Sequence, residues 1–429
     1  MVEPEAANGA GPTAPRSRAW VVWGAALAVY AAAVAQRTSF GVAGLEAAER
    51  FTVAATVLSL FAVVQVVVYA LLQLPVGVAL DRVGSRVMLT VGAATMAVGQ
   101  LAMGLVDTVP LALVARVLIG AGDAMTFVSA IRLVPAWFPA RRVPLLTQVT
   151  GIIGQLGQVV SAVPFVLALH QLGWTPAFAG LSALGLLAAV AAVVLVRDRP
   201  AEGPLVVWTP PPLMAGLGPT LRSAATWLGF WSHLVSAFSL HVFLLMWGYP
   251  FLVQGEGLSS AQAGGLFTLS VVVAIVSGPF IGELTGRYPA RRSLMVLAVA
   301  VAILAGWLIV LIPTTPRPLW QLAVFVVLIS LGGPTSLVGL DIAASFAPAE
   351  RMGSATGVAN AGGFIGAVVV MLAVGVVLDH RSGGAAAGLA DYRAALWLVV
   401  ALWVVGVVAV LVTRDRVRRT LVHPGDEAR

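Results

Sequence analysis

The stretch "GVALDRVGSR", residues 77–86, sets one aspartate and two arginines between two long apolar runs. The charged group reads as the loop between two spans. "GELTGRYPAR", residues 282–291, has the same layout and again lies between two apolar runs. A second pair, "PARRVPLLTQVTGIIGQLG" (139–157) and "PAERMGSATGVANAGGFIG" (348–366), aligns without a gap. Two matches in the same chain order make the molecule a tandem of two halves with the same orientation.

Composition states what the apolar runs are for. Of 429 residues, 59% are hydrophobic and only 10% are charged, where a soluble domain carries about 25% charged residues. The chain is therefore expected to be an all-α polytopic membrane protein. A spanning helix needs about 20 apolar residues, and twelve stretches qualify: 19–44, 54–80, 87–106, 109–133, 143–170, 174–196, 227–253, 261–285, 292–312, 318–345, 353–378 and 389–413. These give an N-terminal six-helix bundle over 19–196 and a C-terminal one over 227–413. The polar, Pro- and Gly-rich residues 1–18 read as a disordered tail, without the cleavage pattern of a signal peptide. Residues 197–226, with Arg197, Asp198, Arg199, Glu202 and "TPPPL" (209–213), read as a central linker, and 414–429 as a basic tail. Cysteine is absent, which excludes disulfides and thiolate metal sites.

Arginine placement sets the expected orientation. All 25 basic residues are arginine, and nineteen of them fall on the side of the termini and of the 77–86 turn. Four (Arg50, Arg317, Arg381 and Arg393) fall on the other side, and Arg37 and Arg116 lie inside spans. Both termini are therefore expected in the cytoplasm, and the net charge of +7 is topological rather than a sign of a nucleic-acid partner.

The turn Gly77, Asp81, Arg82, Gly84, Arg86 matches the G-x-x-x-D-R-x-G-x-[RK] signature of the major facilitator superfamily, and the chain resembles that family over nearly its whole length. Arg116, Gly120 and Gly122 resemble its R-x-x-x-G-x-G motif in span 4. The second-half copy of the turn has Gly286 where the acid would stand. The resemblance implies two six-helix bundles with substrate at the midplane between them, no cofactor and no metal. It also implies a conformational gate at Gly77, Asp81, Arg82, Gly84 and Arg86. An acid at the end of a helix can face the positive N-terminus of another, so Asp81 is expected to cap the start of span 11 near Met352–Ser354. Arg132 and Asp341 occupy equivalent places in the two halves, and a contact between them across the inner face is expected to complete the gate.

Charges inside spans cost at least about 2.5–3.5 kcal/mol each, which points to function. Arg37, in "AQRTSFGVAG" (35–44), resembles the span-1 arginine that binds the substrate anion in organophosphate antiporters and anion–cation symporters. Unlike the organophosphate antiporters, this chain has no opposing arginine in span 7, "FWSHLVSAFSLHVFLLMWGYPFLV" (230–253). One fixed positive charge favours a monocarboxylate over a dianionic phosphate. "RVLIGAGD" (116–123) sets Arg116 and Asp123 two helical turns apart, about 10 Å along one face of span 4. Asp123 is expected to take the coupling proton, with Arg116 beside it; a permanent pair with Arg37 or Arg116 is the structural alternative. Tyr30, Gln65, Tyr69, Gln148, Gln155, His241 and Asn360 are expected to line the substrate site.

"GAGD" also matches intramembrane aspartyl proteases, but the second catalytic aspartate motif they need is missing. No H-E-x-x-H or phosphate-binding P-loop occurs, so no enzymatic activity is expected. The sequence is thus read as a monomeric, proton-coupled secondary transporter of a small organic anion in the bacterial inner membrane. A multidrug/proton antiporter exporting lipophilic compounds is the alternative.

Overall fold

A computed structural model describes residues 16–52, 55–200, 217–382 and 387–422. The expected tail residues 1–15, the "TPPPL" segment and the last seven residues lie outside them. Among the described residues the chain is helical almost throughout: α1 (Arg16–Val42), α2 (Gly44–Phe51), α3 (Ala55–Leu105), α4 (Val109–Trp137), α5 (Val143–Val160), α6 (Val166–Leu172), α7 (Trp174–Leu195), α8 (Leu217–Arg222), α9 (Ala224–Val242), α10 (Gly248–Pro250), α11 (Ser260–Arg287), α12 (Arg292–Leu311), α13 (Leu319–Ser330), α14 (Gly332–Phe346), α15 (Met352–Ser382) and α16 (Leu389–Val422).

Eleven helical segments among the described residues are long and apolar enough to cross a membrane. One of them belongs to α3, whose 51 residues rise about 76 Å, more than twice the hydrocarbon thickness of about 30 Å. It holds two of the twelve expected spans. The break between them is Gly84, at φ 80 and ψ 169, a backbone conformation that a side chain would strain. Helix also extends into the expected linker and tail. The 414–429 tail begins as helix, since α16 continues to Val422 with an Asp415–Arg419 pair of 2.6 Å one turn apart. Part of the linker is helical as well: α8 covers Leu217–Arg222, and Ser223 follows it to cap α9, its hydroxyl accepting from the Thr226 N–H.

Helices in lipid gain little from burying apolar surface against one another, so small residues that permit close approach decide who packs with whom. α3 crosses α4 where Gly92 and Gly122 meet, and a methyl group on Gly122 would lie 2.5 Å from the Gly92 carbonyl. In the second half α9 and α14 approach in the same manner, with Gly229 against Gly339, each 2.6 Å from the other's carbonyl by the same measure. Each half has its own buried clusters, Val22, Leu89 and Trp137 in the first, Phe238, Trp307 and Phe325 in the second. A smaller cluster joins them: Tyr30, Val34, Phe127 and Ile131 pack on Leu340, Ala343, Ala355 and Ala359. The halves meet through α3 with α15, α5 with α11 and α14, and α4 with α15.

Candidate substrate and gating site

The seam between the halves is closely packed at its arginine-rich end. Gly77 of α3 lies on the first turn of α15, where a methyl group would come 2.6 Å from the Gly353 carbonyl. That approach delivers Asp81 to the helix terminus. Its Oδ1 accepts from the Gly353 N–H at 2.6 Å, and its Oδ2 accepts from the Ser354 N–H at 2.7 Å and the Ser354 hydroxyl at 2.5 Å. Three donors on one carboxylate satisfy groups that a helix start otherwise leaves open. Arg132 stands behind the carboxylate, 3.5 Å from Oδ1, and also donates to the Leu80 carbonyl.

The rest of the turn is fastened within the first half. Arg86 donates its backbone N–H to Asp198 Oδ1 at 3.1 Å and its guanidinium to the Val193 carbonyl at 2.9 and 2.6 Å. A side chain on Gly84 would collide with the Asp198 carboxylate. Asp198, read from sequence only as a linker charge, therefore anchors this turn to the end of α7. Arg82 is half-buried on the same turn.

The expected contact between Arg132 and Asp341 is not made. Arg132 belongs to Asp81, whereas Asp341 lies beside Thr147 and Arg292. The repeat explains why: α4 faces α15, while its counterpart α14 faces α5. Equivalent residues thus sit on opposite flanks of the seam. The second copy of the turn keeps the close approach without the acid, with Gly282 against Leu145 and Gly286 against the Arg141 carbonyl.

A Gly77→Ala substitution tests whether this close approach holds the seam shut. With spin labels at Val87 and Leu294, both exposed on the arginine-rich end, we expect the longer-distance population to become the major one. An unchanged distance distribution would show that the seam yields around the methyl group.

Farther along the seam, polar groups of the two halves bond directly. Asn360 donates to the Tyr69 hydroxyl at 3.1 Å and to Gln73 Oε1 at 2.7 Å. The Tyr69 ring packs on Phe364 at 4.5 Å, and Phe364 stacks with His241 at 4.7 Å. His241 lies two residues before a π-turn at Phe243–Trp247, a helix irregularity common at functional sites. His233, one face away, accepts the Gly363 N–H at Nδ1 (2.9 Å), so that nitrogen carries no proton.

Arg37 comes to the end of this seam. One of its nitrogens, Nη1, lies 3.3 Å from Asp123 Oδ2, longer than the 2.7–2.9 Å of a strong charged hydrogen bond. The Arg37 side chain keeps 26% of its surface uncovered, while Asp123 keeps 1%. Tyr30, Tyr69 and His241 share the electrostatic neighbourhood of this pair. Tyr30 is placed there by Gly154, whose missing side chain admits its ring, and by Phe127 at 5.1 Å. Arg116 lies near Asp123 but bonds to neither partner; its guanidinium covers the Phe40 ring at 4.9 Å, and Nε and Nη1 are buried without partners among the described residues.

Arg37, Tyr30, Tyr69, His241, Asn360, Asp123 and Arg116 therefore converge. One expected lining residue, Gln148, does not. Gln148 donates to the Pro334 carbonyl at 2.7 Å, because glycines bring α5 against the second half at that level. Gln65 is buried against Gly120 inside the first half. The Gln155 side chain lies outside the described residues. Phe364, which joins Tyr69 to His241, was missed; an aromatic ring set among the glycines of "AGGFIGA" (361–367) was its only signal.

The sequence profile described as Major Facilitator Superfamily matches residues 25–371. The probable galactarate/D-glucarate transporter GudP of Escherichia coli (strain K12) is 22% identical over 341 residues, 72% of this chain and 76% of that protein. The probable nitrate/nitrite transporter NarK2 of Mycobacterium tuberculosis (strain CDC 1551 / Oshkosh) is 28% identical over 347 residues, 80% and 83% of the two chains. The multidrug resistance protein MdtG of Salmonella choleraesuis (strain SC-B67) is 28% identical over 156 residues, 36% and 37% of the two. Signature turn, paired bundles and profile agree: the chain belongs to the major facilitator superfamily, and it is a multi-pass membrane transporter rather than an enzyme.

Proposed function

We propose that the chain carries a small organic anion, together with a proton, across the bacterial inner membrane by alternating access, as a monomer with both termini in the cytoplasm. The observation that carries this reading is the Arg37–Asp123 pair, one contact of 3.3 Å between a partly uncovered guanidinium and a buried carboxylate. A guanidinium offers five N–H donors in a fork that fits a carboxylate, and this pair leaves most of them for a ligand. While Asp123 is ionised it competes with the substrate for the same cation. Protonation of Asp123 removes the competitor, so proton and anion load together; loss of the proton returns the carboxylate to Arg37 and expels the anion. A single cation freed in this way balances one carboxylate, which favours a monocarboxylate-type solute.

Similarity to GudP and NarK2, whose names specify anions, supports an anionic substrate. The second reading, a multidrug exporter, draws on the MdtG match, which covers little more than a third of either chain. The arginine-rich end is latched by Asp81 while Arg37 keeps part of its surface uncovered, as expected of a carrier loading from the opposite side.

The test is uptake into proteoliposomes under an imposed inward proton gradient, with a panel of small carboxylates, inorganic anions and lipophilic cations. One carboxylate class should accumulate. Accumulation of the cations alone would replace this reading with the exporter. In Asp123→Asn, we expect gradient-driven accumulation to disappear while exchange of labelled for unlabelled anion persists. Accumulation with unchanged pH dependence would remove Asp123 from proton coupling.

A further inference from the structure

Away from the seam, the second half carries a lateral groove of about 950 Å³ between α8–α9 and α16. Its floor is apolar: Val404, Val408 and Val412 of α16 face Trp227 and Trp231 of α9. Its mouth at the arginine-rich end holds Arg222, Arg416 and Arg419. Among the described residues no acid lines it. Arg419 is engaged by Asp415 at 2.6 Å, and Arg222 and Arg416 are exposed, without acidic partners among the described residues. Neither Arg37 nor Asp123 lines the groove, so it stands apart from the proposed transport site.

We propose that this groove binds one anionic phospholipid of the adjoining leaflet, with the phosphate held by Arg222, Arg416 and Arg419 and an acyl chain laid along α16. Length supports this occupant. From Val404 to Val412 the helix rises about 12 Å, close to the depth of one leaflet's hydrocarbon, about 15 Å. The arginines begin one turn beyond, at headgroup level. Charge supports it too, because a basic pocket between helices at the cytoplasmic face suits anionic headgroups and gives a zwitterionic lipid no net attraction. Trp227 adds a flat amphipathic wall at the junction, and its indole N–H is already satisfied by the Leu221 carbonyl at 2.6 Å. That leaves its ring face to the chain of a lipid rather than its N–H to a headgroup.

Native mass spectrometry of the full-length protein tests the site, with phosphatidylglycerol, phosphatidylcholine of the same acyl chains, and glycerol phosphate as probes. The protein should retain about one phosphatidylglycerol and no phosphatidylcholine. Arg222→Gln/Arg416→Gln/Arg419→Gln should weaken phosphatidylglycerol about a hundredfold, near tenfold or less for each charge. Val408→Trp keeps the arginines and fills the floor, and it should also lose the lipid. Equal retention of both lipids, or retention by either variant, would overturn the proposal. Glycerol phosphate binding as tightly as phosphatidylglycerol would overturn it as well, because the groove would then be a site for free phosphate.

Discussion

An Arg37→Ala protein is expected to bind its substrate anion at least about a hundredfold more weakly, since a charged fork contributes two hydrogen bonds of about 1.5–3 kcal/mol each. The same change should destabilise the protein, because Asp123 stays 1% exposed and loses its one ion pair among the described residues, leaving only the more distant Arg116 as counter-charge. Removing one member of a fully buried pair costs about 3–5 kcal/mol; here the arginine is 26% uncovered, and the cost falls at or below that range. The second substitution in Arg37→Ala/Asp123→Asn removes the stranded carboxylate, so thermal stability should recover while anion binding does not. Scintillation proximity binding and melting temperature read the two effects separately. Recovery of both would make Arg37 a structural partner of Asp123 and nothing more.

Asp81→Asn should shift the carrier toward the form open at its arginine-rich end, by about a hundredfold in the equilibrium between states. An asparagine keeps one acceptor oxygen, but one oxygen cannot hold Gly353 and both donors of Ser354 as the carboxylate does. The loss of one charged hydrogen bond, of helix-terminus attraction and of the Arg132 contact totals about 3 kcal/mol. The chain has no cysteine, so a single reporter at Ala355, 1% exposed in the cluster that joins the halves, labels against no background. Its maleimide reaction from the arginine-rich side should accelerate in Asp81→Asn. Unchanged labelling would mean that packing alone keeps this end shut.

The two predictions concern opposite ends of one seam. Asp81 ties α3 to the first turn of α15, and Asn360, farther along α15, ties back to Tyr69 and Gln73 on α3. A rocking motion that breaks the first contact must also disturb the second, which bonds Tyr69 and lies one helical turn from Phe364 in the His241–Phe364–Tyr69 stack near Arg37. That continuity gives the substrate site a physical route to the gate.

Sequence by itself determined the fold, its repeat and the residue types at stake. Hydropathy sets the spans because unpaired backbone polar groups cannot sit in hydrocarbon, and the charged stretch 77–86 separates the second span from the third. The isolated charges Arg37, Arg116 and Asp123 were legible for the same reason, being expensive where they stand. Partnership was not legible, because it depends on which helix faces which. Only the tertiary structure decided that Asp123 meets Arg37 rather than Arg116, that Arg132 serves Asp81 rather than Asp341, and that Gln148 spans the seam to a backbone carbonyl. Only it revealed Asp198 under Gly84 and Phe364 between Tyr69 and His241. Helical periodicity fixes the face of each residue to within one helix. The rotation of each helix against its neighbours is set by close contacts such as Gly77 on Gly353 and Gly92 on Gly122, which exist only once the bundle has formed.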